Sequence, residues 1–440
     1  MTPRVDRRTF LAALGATAAA SMLDVPTVAA ADVAPTRVTL PNGLVVLALE
    51  RRGADTLALQ LTARVGSRDD PQDSLGASAL TSRLFLQGTT RRPSEPDLQR
   101  AAAAVGGSVS RNTSGETCTL SVVVPAKDAD LGFDLVSDIV QNARFDADAV
   151  ARLRTLTAQD LQQRQADPSI IVGDAFPLAM LPGHPLANPV IGTLASIQAT
   201  TREALLAQRA RYWQASNLVL SVVGRIAAAE VVDRARATLG ALPAGTRNDR
   251  PVVPVRTQPP TTVRVVGGQQ QLQFRVGFPA PTVRDPDRAP MTLLSFMHAG
   301  PSGTFFRELR TNRGLAYSAG CAYSAFTDAG YWYVFAGVDP DKLSTALGVV
   351  RDQLRSITAR APDAAYVPRL VRSYLGGQQV LLETNAAQAA RIANEDVLGS
   401  ASNEEFTRQL RAVTAADLQR VAQRYIDPDG GIVVVVAPKA

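Results

Sequence analysis

Two segments of the chain repeat each other at a fixed separation, and this repetition constrains the fold more than any other feature. Three residue pairs share an offset of 213 positions: Thr201 with Thr414, Leu205 with Leu418, and Tyr212 with Tyr425. Each copy predicts a helix with a threonine N-cap and acidic residues in its first turn, followed by a buried strand. A duplicated domain is the economical explanation, and the alternative is a chance alignment of two ordinary helix–strand units.

The segment between the copies predicts a two-domain organisation. Residues 243–260 are rich in proline, arginine and threonine without helical periodicity, which is typical of a linker. The chain is long enough for each side to bury a full core. We therefore predict homologous domains at residues 32–242 and 261–440. Mixed helices and strands with few βαβ units favour an α+β fold, in which each domain is a mostly antiparallel sheet packed with helices.

Local patterns predict most of the individual elements. A Pro41-Asn42-Gly43 turn joins two strands in a hairpin near the start. Further strands are predicted at residues 57–65, 117–124, 262–266, 272–277 and 331–338. Amphipathic periodicity predicts helices at residues 75–86, 95–105, 131–141, 147–165, 291–297, 343–360 and 385–398.

Residues 1–31 carry the features of an export signal rather than those of a folded segment. The adjacent Arg7 and Arg8 precede an apolar, alanine-rich run to Met22, and the small residues at 28–31 suit signal peptidase. The apolar run is too short to span a membrane, and no cysteine stands at the cleavage region to take a lipid anchor. We predict twin-arginine export of a protein without a membrane anchor, located in the periplasm or secreted.

The charge and the small numbers of cysteines and histidines argue against several classes of function. The formal net charge of +6 is mild for 440 residues and no run of lysine or arginine stands out, so binding to nucleic acid or to a membrane surface is not predicted. The two cysteines, Cys118 and Cys321, could form a disulfide in an oxidising compartment, which the sequence alone does not decide. His184 follows a glycine in a loop and His298 ends an apolar helix, so both are expected to be structural rather than metal ligands.

The stretch at residues 305–318 places a cation and a phenol close to the end of a helix. Phe305 and Leu309 lie at helical spacing, and Gly314 predicts the helix end. An extended run follows, so Arg310 and Tyr317 fall on either side of a helix–strand junction. Taken alone, the stretch is compatible with a surface arginine and a half-buried tyrosine that have no further function.

Taken together, several segments resemble the pitrilysin (insulinase) family of zinc metallopeptidases, in its two-domain bacterial and mitochondrial-processing branch. The matching segments are Leu40-Pro41-Asn42-Gly43-Leu44, Gly183-His184-Pro185-Leu186, Glu308-Leu309-Arg310 and Arg313-Gly314-Leu315-Ala316-Tyr317-Ser318. The resemblance implies a clam-shell arrangement of the two domains and a chamber that admits unfolded peptides. It also implies zinc held by the motif His-x-x-Glu-His, whose glutamate acts as the general base.

The chain departs from this family at the residues that would bind zinc. Ala79 and Arg83 stand at the two histidine positions, and Ser82 stands at the position of the base. Asp160 falls where the family has its remaining glutamate ligand. One carboxylate cannot hold a zinc ion, and a neighbouring arginine repels one. We therefore predict no metal in this chain and expect zinc on a partner subunit.

The resemblance assigns a separate role to Arg310 and Tyr317. In active members of the family, an arginine and a tyrosine at this spacing bind substrate carbonyls and stabilise the oxyanion. In two-chain members, one chain carries zinc and the other carries this pair. We therefore predict a non-catalytic subunit that supplies Arg310 and Tyr317 to a homologous, zinc-bearing partner with the motif His-x-x-Glu-His. The alternative is a catalytically inactive structural or peptide-binding protein of the same fold.

The resemblance also implies a substrate-binding edge strand after the glycine pair at residues 106–107. Asn112 and Thr113 on this strand would contact the peptide main chain. Ser110 and Arg111 depart from the usual Asn-Ala of the family, so an ordinary edge strand without substrate contacts is the alternative.

Overall fold

The fold is taken from a computed structural model that describes residues 34–53, 55–256, 258–267 and 271–437. The predicted export signal at residues 1–31 lies outside the described residues. Within the described ranges, no helix combines the length and the apolarity that crossing a membrane requires. We refer to residues 34–242 as the N-terminal half and to residues 261–437 as the C-terminal half.

The first sheet contains six strands in the spatial order β1-β2-β6-β3-β5-β4. The strands are β1 Thr36–Thr39, β2 Val45–Glu50, β3 Thr56–Ala63, β4 Ser108–Thr113, β5 Cys118–Pro125 and β6 Leu218–Gly224. Neighbouring strands are antiparallel except for β2 and β6, which are parallel. The predicted hairpin joins β1 to β2, and Gly43 in its turn has a φ of 91°, a conformation that glycine adopts without strain.

The second sheet repeats the topology of the first. Its strands are β7 Thr261–Val266, β8 Leu272–Pro279, β9 Ala316–Ala325, β10 Gly330–Val338 and β11 Ile432–Ala437, in the spatial order β7-β11-β8-β10-β9. Strands β7 and β11 are parallel and take the places that β2 and β6 have in the first sheet. The shared strand order confirms the predicted duplication, and with it the α+β class with two mostly antiparallel sheets.

Helices occupy much of the chain between the strands. In the N-terminal half they are α1 Ala77–Leu84, α2 Glu95–Ala103, α3 Ala129–Asn142, α4 Ala147–Arg164, α5 Pro168–Met180, α6 Leu194–Ala199, α7 Arg202–Tyr212 and α8 Ala228–Leu239. In the C-terminal half they are α9 Arg288–His298, α10 Thr304–Phe306, α11 Leu343–Ala359, α12 Val367–Leu381, α13 Asn385–Leu398, α14 Asn403–Ala412 and α15 Ala415–Tyr425. The predicted helices are confirmed to within a few residues of their ends, whereas α5, α6, α8, α12 and α14 were not indicated by the sequence patterns.

The two repeated helix–strand units have the threonine caps that the sequence predicts. The Thr201 side chain accepts a hydrogen bond from the Ala204 amide at the start of α7, and Thr414 accepts one from the Asp417 amide at the start of α15. Helix α7 leads to the buried strand β6, and α15 leads to the buried strand β11. The residues between 243 and 260 that the structure describes form neither helix nor strand, and the domain division at this segment stays a prediction.

Each half contributes one helix to the sheet of the other half. Helix α5 packs on β8 and β11, where Phe176 lies in one apolar cluster with Val434. In return, α13 packs on β3 and β6, where Ile392 lies in one apolar cluster with Val219. The exchange of helices explains why the chain from Pro35 onward forms one compact unit.

The two cysteines do not form the disulfide that the sequence left open. Cys118 lies on β5 in the first sheet and Cys321 lies on β9 in the second, and both are buried free thiols. The Cys118 thiol lies 3.6 Å from the Thr113 hydroxyl and 3.7 Å from the Ser78 carbonyl oxygen, and the Cys321 thiol lies 3.5 Å from the Ser295 carbonyl oxygen. Burial raises the pKa of each thiol to about 12, so both stay protonated at neutral pH.

Candidate functional site

Helix α1 carries the residues at the degenerate zinc positions, and a buried aspartate fixes the start of this helix. The Asp70 carboxylate accepts hydrogen bonds from the amides of Gly76 and Ser78, at 2.9 and 3.0 Å, and from the Ser78 hydroxyl at 2.6 Å. Burial outweighs these bonds and raises the pKa of Asp70 to about 7. Asp70 is not among the residues predicted from the sequence, although an acidic residue shortly before a helix is a common capping signal.

The structure brings most of the predicted site residues of the N-terminal half into one cavity of about 420 Å³. Its lining includes Ala79 and Arg83 from α1, Asp160 from α4, and Asn112 and Thr113 from the edge strand β4. These residues of α1, α4 and β4 therefore lie close together. Their chemistry differs from that of a zinc site, as the individual contacts show.

Ser82, at the position of the general base, does not lie in this cavity. Its side chain is completely buried, and its hydroxyl has no hydrogen-bond partner among the described residues. Ala79 and Arg83 are four residues apart and so share one face of α1, whereas Ser82 is turned about 100° away from Arg83 around the helix axis. The buried Ser82 hydroxyl is therefore not exposed to the cavity.

The donor set around α1 does not fit a zinc ion. Ala79 has no ligand atom, and the Arg83 guanidinium occupies the second histidine position, where it donates a 2.7 Å hydrogen bond to the Thr157 hydroxyl. Zinc requires three or four neutral or anionic ligands at tetrahedral positions. In the part of the chain that the structure describes, no group of three or more His, Cys, Asp and Glu side chains could hold a metal ion.

The two histidines lie in separate structural environments. The His184 Nδ1 accepts a hydrogen bond from the Leu186 amide at 3.1 Å, and its Nε2 lies 3.1 Å from the Val253 carbonyl oxygen. The His298 Nδ1 lies 2.8 Å from the Thr304 hydroxyl. Burial, with a smaller effect of the Arg307 charge, lowers the pKa of His298 to about 4, so its ring is neutral at physiological pH.

Arg310 lies in a short π-helical turn of the C-terminal half, and Tyr317 lies near the start of the strand β9 that follows. The predicted helix is present, but after α10 it continues as a π-helix over Arg307–Thr311. Gly314 ends it with a φ of 59°, and the Leu315 amide donates to the Leu309 carbonyl oxygen at 2.8 Å. In a π-helical turn each hydrogen bond joins residues five positions apart, and such turns are frequent at functional sites.

The arginine and the tyrosine are held together and face solvent. The Arg310 Nη1 donates a 2.8 Å hydrogen bond to the Tyr317 carbonyl oxygen, and its guanidinium lies 5.2 Å from the centre of the Phe306 ring. The Tyr317 side chain is exposed, and its hydroxyl lies 3.3 Å from the Asp339 carboxylate. No carboxylate among the described residues forms an ion pair with Arg310, so its remaining donors can bind a group from another molecule.

These two residues lie apart from the degenerate zinc positions within the chain. Arg310 and Tyr317 are not among the residues that line the cavity around Arg83, as far as the chain is described. The chain therefore carries two separate surfaces whose side chains can bind another molecule, one in each half. The Arg310–Tyr317 surface can donate hydrogen bonds to a carbonyl oxygen or an oxyanion, as the resemblance implies.

Strand β4 is an edge strand, as predicted. It pairs with β5 on one side and is the last strand of the first sheet. Arg111 and Asn112 on it are exposed, and both line the cavity around Arg83. The free edge of β4 thus leads directly into this cavity.

Two protein-family profiles together match most of the described chain. Residues 45–194 match the profile described as insulinase (peptidase family M16), and residues 199–374 match the profile described as the peptidase M16 inactive domain. The degenerate zinc positions lie in the first of these segments, and Arg310 and Tyr317 lie in the second.

Curated relatives match the chain over nearly its whole length. An uncharacterized zinc protease of Mycobacterium tuberculosis is 29% identical over 415 residues, which cover 92% of this chain and 94% of that protein. A probable mitochondrial-processing peptidase subunit beta of Arabidopsis thaliana is 24% identical over 410 residues, covering 89% of this chain and 76% of that protein.

Solved structures share the fold at low sequence identity. A peptidase M16 inactive domain from Pseudomonas fluorescens aligns with a TM-score of 0.85 at 18% identity, covering 92% of this chain and 98% of that one. A protease from Helicobacter pylori gives 0.84 at 19% identity, covering 92% and 99%. A chain of complex III2 from Candida albicans gives 0.77 at 17% identity, covering 91% and 94%.

Proposed function

The chain belongs to the insulinase family of peptidases, M16, and on this basis we propose that it is the non-catalytic subunit of a heteromeric zinc peptidase. A homologous partner with the motif His-x-x-Glu-His would carry the zinc ion and the general base. This chain would supply Arg310 and Tyr317 to the partner's site and would form half of a chamber for unfolded peptides. Residues 1–31 support export, and so a periplasmic location for the complex.

The observation that carries the proposal is the contrast between the two surfaces. At the degenerate zinc positions, an alanine and a guanidinium replace ligands, so the chain cannot assemble its own zinc site. Arg310 and Tyr317, by contrast, keep the residue types that stabilise an oxyanion and are exposed. The guanidinium and the phenol would donate hydrogen bonds to the substrate carbonyl oxygen as negative charge develops on it.

A second candidate function is that of a catalytically inactive structural or peptide-binding protein. The shared fold with a chain of complex III2 from Candida albicans favours this alternative, because a chain of that assembly has the same architecture. A structural role requires the fold and the exposed surfaces but makes no use of donors at Arg310 and Tyr317. The two functions therefore differ in what happens when these residues are changed.

Peptidase activity of reconstituted mixtures tests the proposal. The mature chain, its candidate zinc-bearing partner and an equimolar mixture would each be incubated with unstructured peptides, and zinc would be quantified in each. We expect turnover only in the mixture, zinc only on the partner, and loss of turnover on adding a chelator. A formed complex without any gain in turnover would favour the structural alternative. Turnover with stoichiometric zinc in this chain alone would refute the argument from Ala79, Ser82 and Arg83.

A further inference from the structure

Two arginines without a carboxylate partner converge on the cavity at the degenerate zinc positions. Arg83 reaches it from α1 and Arg111 reaches it from the edge strand β4. Across the described chain, neither forms an ion pair, and Arg83 donates a hydrogen bond to a neutral hydroxyl, that of Thr157. The remaining donors of both guanidiniums are thus available to a ligand.

The two guanidiniums are close enough to affect each other electrostatically. Partial desolvation and the nearby Arg83 charge lower the pKa of Arg111 from its ordinary value, and the more weakly acting Glu95 carboxylate only partly opposes them. Like charges held together at a cavity wall are costly unless an anion joins them. The third arginine of the lining, Arg164, is different because it pairs with Asp174 at 3.3 Å.

The remaining lining restricts the kind of anion. Asp160 lines the same cavity without an ion pair in the described structure, and with the Asp174 carboxylate it disfavours a polyanion such as a phosphate ester. Ala79, Val190 and Ile191 add an apolar wall, and the cavity of about 420 Å³ is at the small end of the range for ligand sites. The cavity is therefore suited to a ligand that carries one carboxylate with an apolar group beside it.

We propose that Arg83 and Arg111 form a binding site for the carboxylate of an extended peptide, in the place where the family has zinc. The guanidinium fork of arginine matches the two oxygens of a carboxylate. The free edge of β4 leads to the cavity, so a peptide end can approach along it, with its last apolar side chain against Val190 and Ile191. The site uses only this chain and does not depend on the zinc-bearing partner proposed above.

Binding of matched peptides to the mature chain alone tests this site. The probes are an extended decapeptide with a C-terminal leucine as its free acid, the same peptide as its amide, and an amide with one internal glutamate. We expect the free acid to bind at least about tenfold more tightly than the plain amide, because the amide loses the charged hydrogen bonds. Equal affinity of the acid and the plain amide would overturn the proposal.

The glutamate peptide distinguishes two sources of the carboxylate. If it recovers the affinity of the free acid, the site accepts acidic side chains as well as chain ends; if it binds like the plain amide, the site reads the C-terminus. Both outcomes support a carboxylate site. Because the partner subunit is absent from this experiment, a negative result here leaves the peptidase-subunit proposal to its own test.

Variants of the two arginines complete the experiment. Arg83→Gln and Arg111→Gln should each reduce the preference for the free acid to about one, because a neutral amide does not attract a carboxylate. Arg83→Lys keeps the charge and should retain part of the preference. Arg236→Gln on α8, where Arg236 pairs with Asp233 at the surface, is the matched control and should change nothing. Folded variants that keep the full preference would contradict the assignment.

Discussion

Arg68 and Asp328 form a buried ion pair between the two halves of the chain, with 2.7 Å between Nη2 and Oδ2. Both side chains are 3% exposed. The Arg68 Nη1 also lies 2.9 Å from the Glu116 carboxylate, so one guanidinium joins two carboxylates. The network holds a loop before α1 against the turn between β9 and β10. Desolvation alone would lower the pKa of Arg68, but these partners raise it above its ordinary value.

Arg68→Ala is expected to be among the most destabilising single changes in the chain. It leaves Glu116 and Asp328 buried and close together without a cation, and the free energy of unfolding should fall by about 3–5 kcal/mol. Asp328→Ala should cost less, because Glu116 still pairs with Arg68. Arg100→Ala, which removes an exposed pair with Asp97, should change it by no more than about 0.5 kcal/mol. Urea unfolding monitored by circular dichroism measures all three, and equal effects of Arg68→Ala and Arg100→Ala would contradict the prediction.

The exchanged helices should make the two halves unfold together. Phe176 on α5 is fully buried, and its ring centre lies 5.4 Å from that of Tyr331 and 5.0 Å from that of Tyr333, both on β10. Phe176→Ala should lower the free energy of unfolding by about 3–5 kcal/mol through lost burial and a cavity. Ile392→Val on α13 is the milder control, at about 1 kcal/mol.

Calorimetry distinguishes an interlocked unit from two independent domains. If α5 and α13 tie the halves together, the mature chain melts in one transition, and Phe176→Ala shifts the whole transition to lower temperature. Two resolved transitions, of which Phe176→Ala moves one, would show that the halves unfold independently.

The sequence predicted local elements better than the contacts between distant ones. The threonine-capped helices α7 and α15 follow from capping and periodicity, which are local signals. Helix α5 was missed because apolar residues are spread around most of its circumference and Pro177 lies inside it, so no clear amphipathic period is visible. Its burial depends on β8 and β11, which lie far along the chain and cannot be inferred from a local pattern.

The candidate site was predictable as a set of positions but not as a set of contacts. Motif spacing located Ala79, Arg83 and Asp160 together, because helix geometry and the family resemblance fix that arrangement. The burial of Ser82 and the approach of Arg111 to Arg83 depend on how α1 packs against β4, which is tertiary information. At the second surface, the apolar spacing of residues 305–309 suits an α-helix and a π-helix equally well, so the π-turn was not distinguishable.

The buried His298 should make the stability of the chain depend on pH. Its pKa is about 4 in the folded state against about 6.5 in the unfolded chain. Because the folded pKa is the lower one, its contribution is complete above pH 6.5 and is lost as the pH falls from 6.5 through about 4. The total loss over this window is about 3 kcal/mol.

The variant His298→Gln isolates this contribution. The difference in unfolding free energy between wild type and variant should shrink by about 3 kcal/mol between pH 7 and pH 4. Asp70 has a raised pKa of about 7, so it contributes stability at low pH that is lost as the pH rises through 7. This contribution is the same in both proteins and cancels in the difference. Parallel pH curves for the two proteins would show that His298 does not titrate as described.

The decisive prediction for function concerns Arg310 and Tyr317 in the reconstituted pair. Arg310→Ala should lower the kcat of the complex by about 10²–10³-fold, the usual effect of removing one donor to an oxyanion. Tyr317→Phe removes only the hydroxyl donor and should lower kcat while leaving the backbone bond to Arg310 in place. Because these donors act on charge that develops during the reaction, the loss should fall on kcat more than on KM.

Arg313→Ala is the matched control, because Arg313 follows Arg310 by three residues and is similarly exposed. It should leave turnover unchanged, and sedimentation should show that every variant of this set assembles with the partner as wild type does. Arg310→Lys should recover only part of the activity, since an ammonium keeps the charge but lacks the planar fork that also bonds the Tyr317 carbonyl oxygen. Full turnover in a correctly assembled Arg310→Ala complex would assign the chain to the structural alternative, because only a role in the chemical step requires the guanidinium at this position.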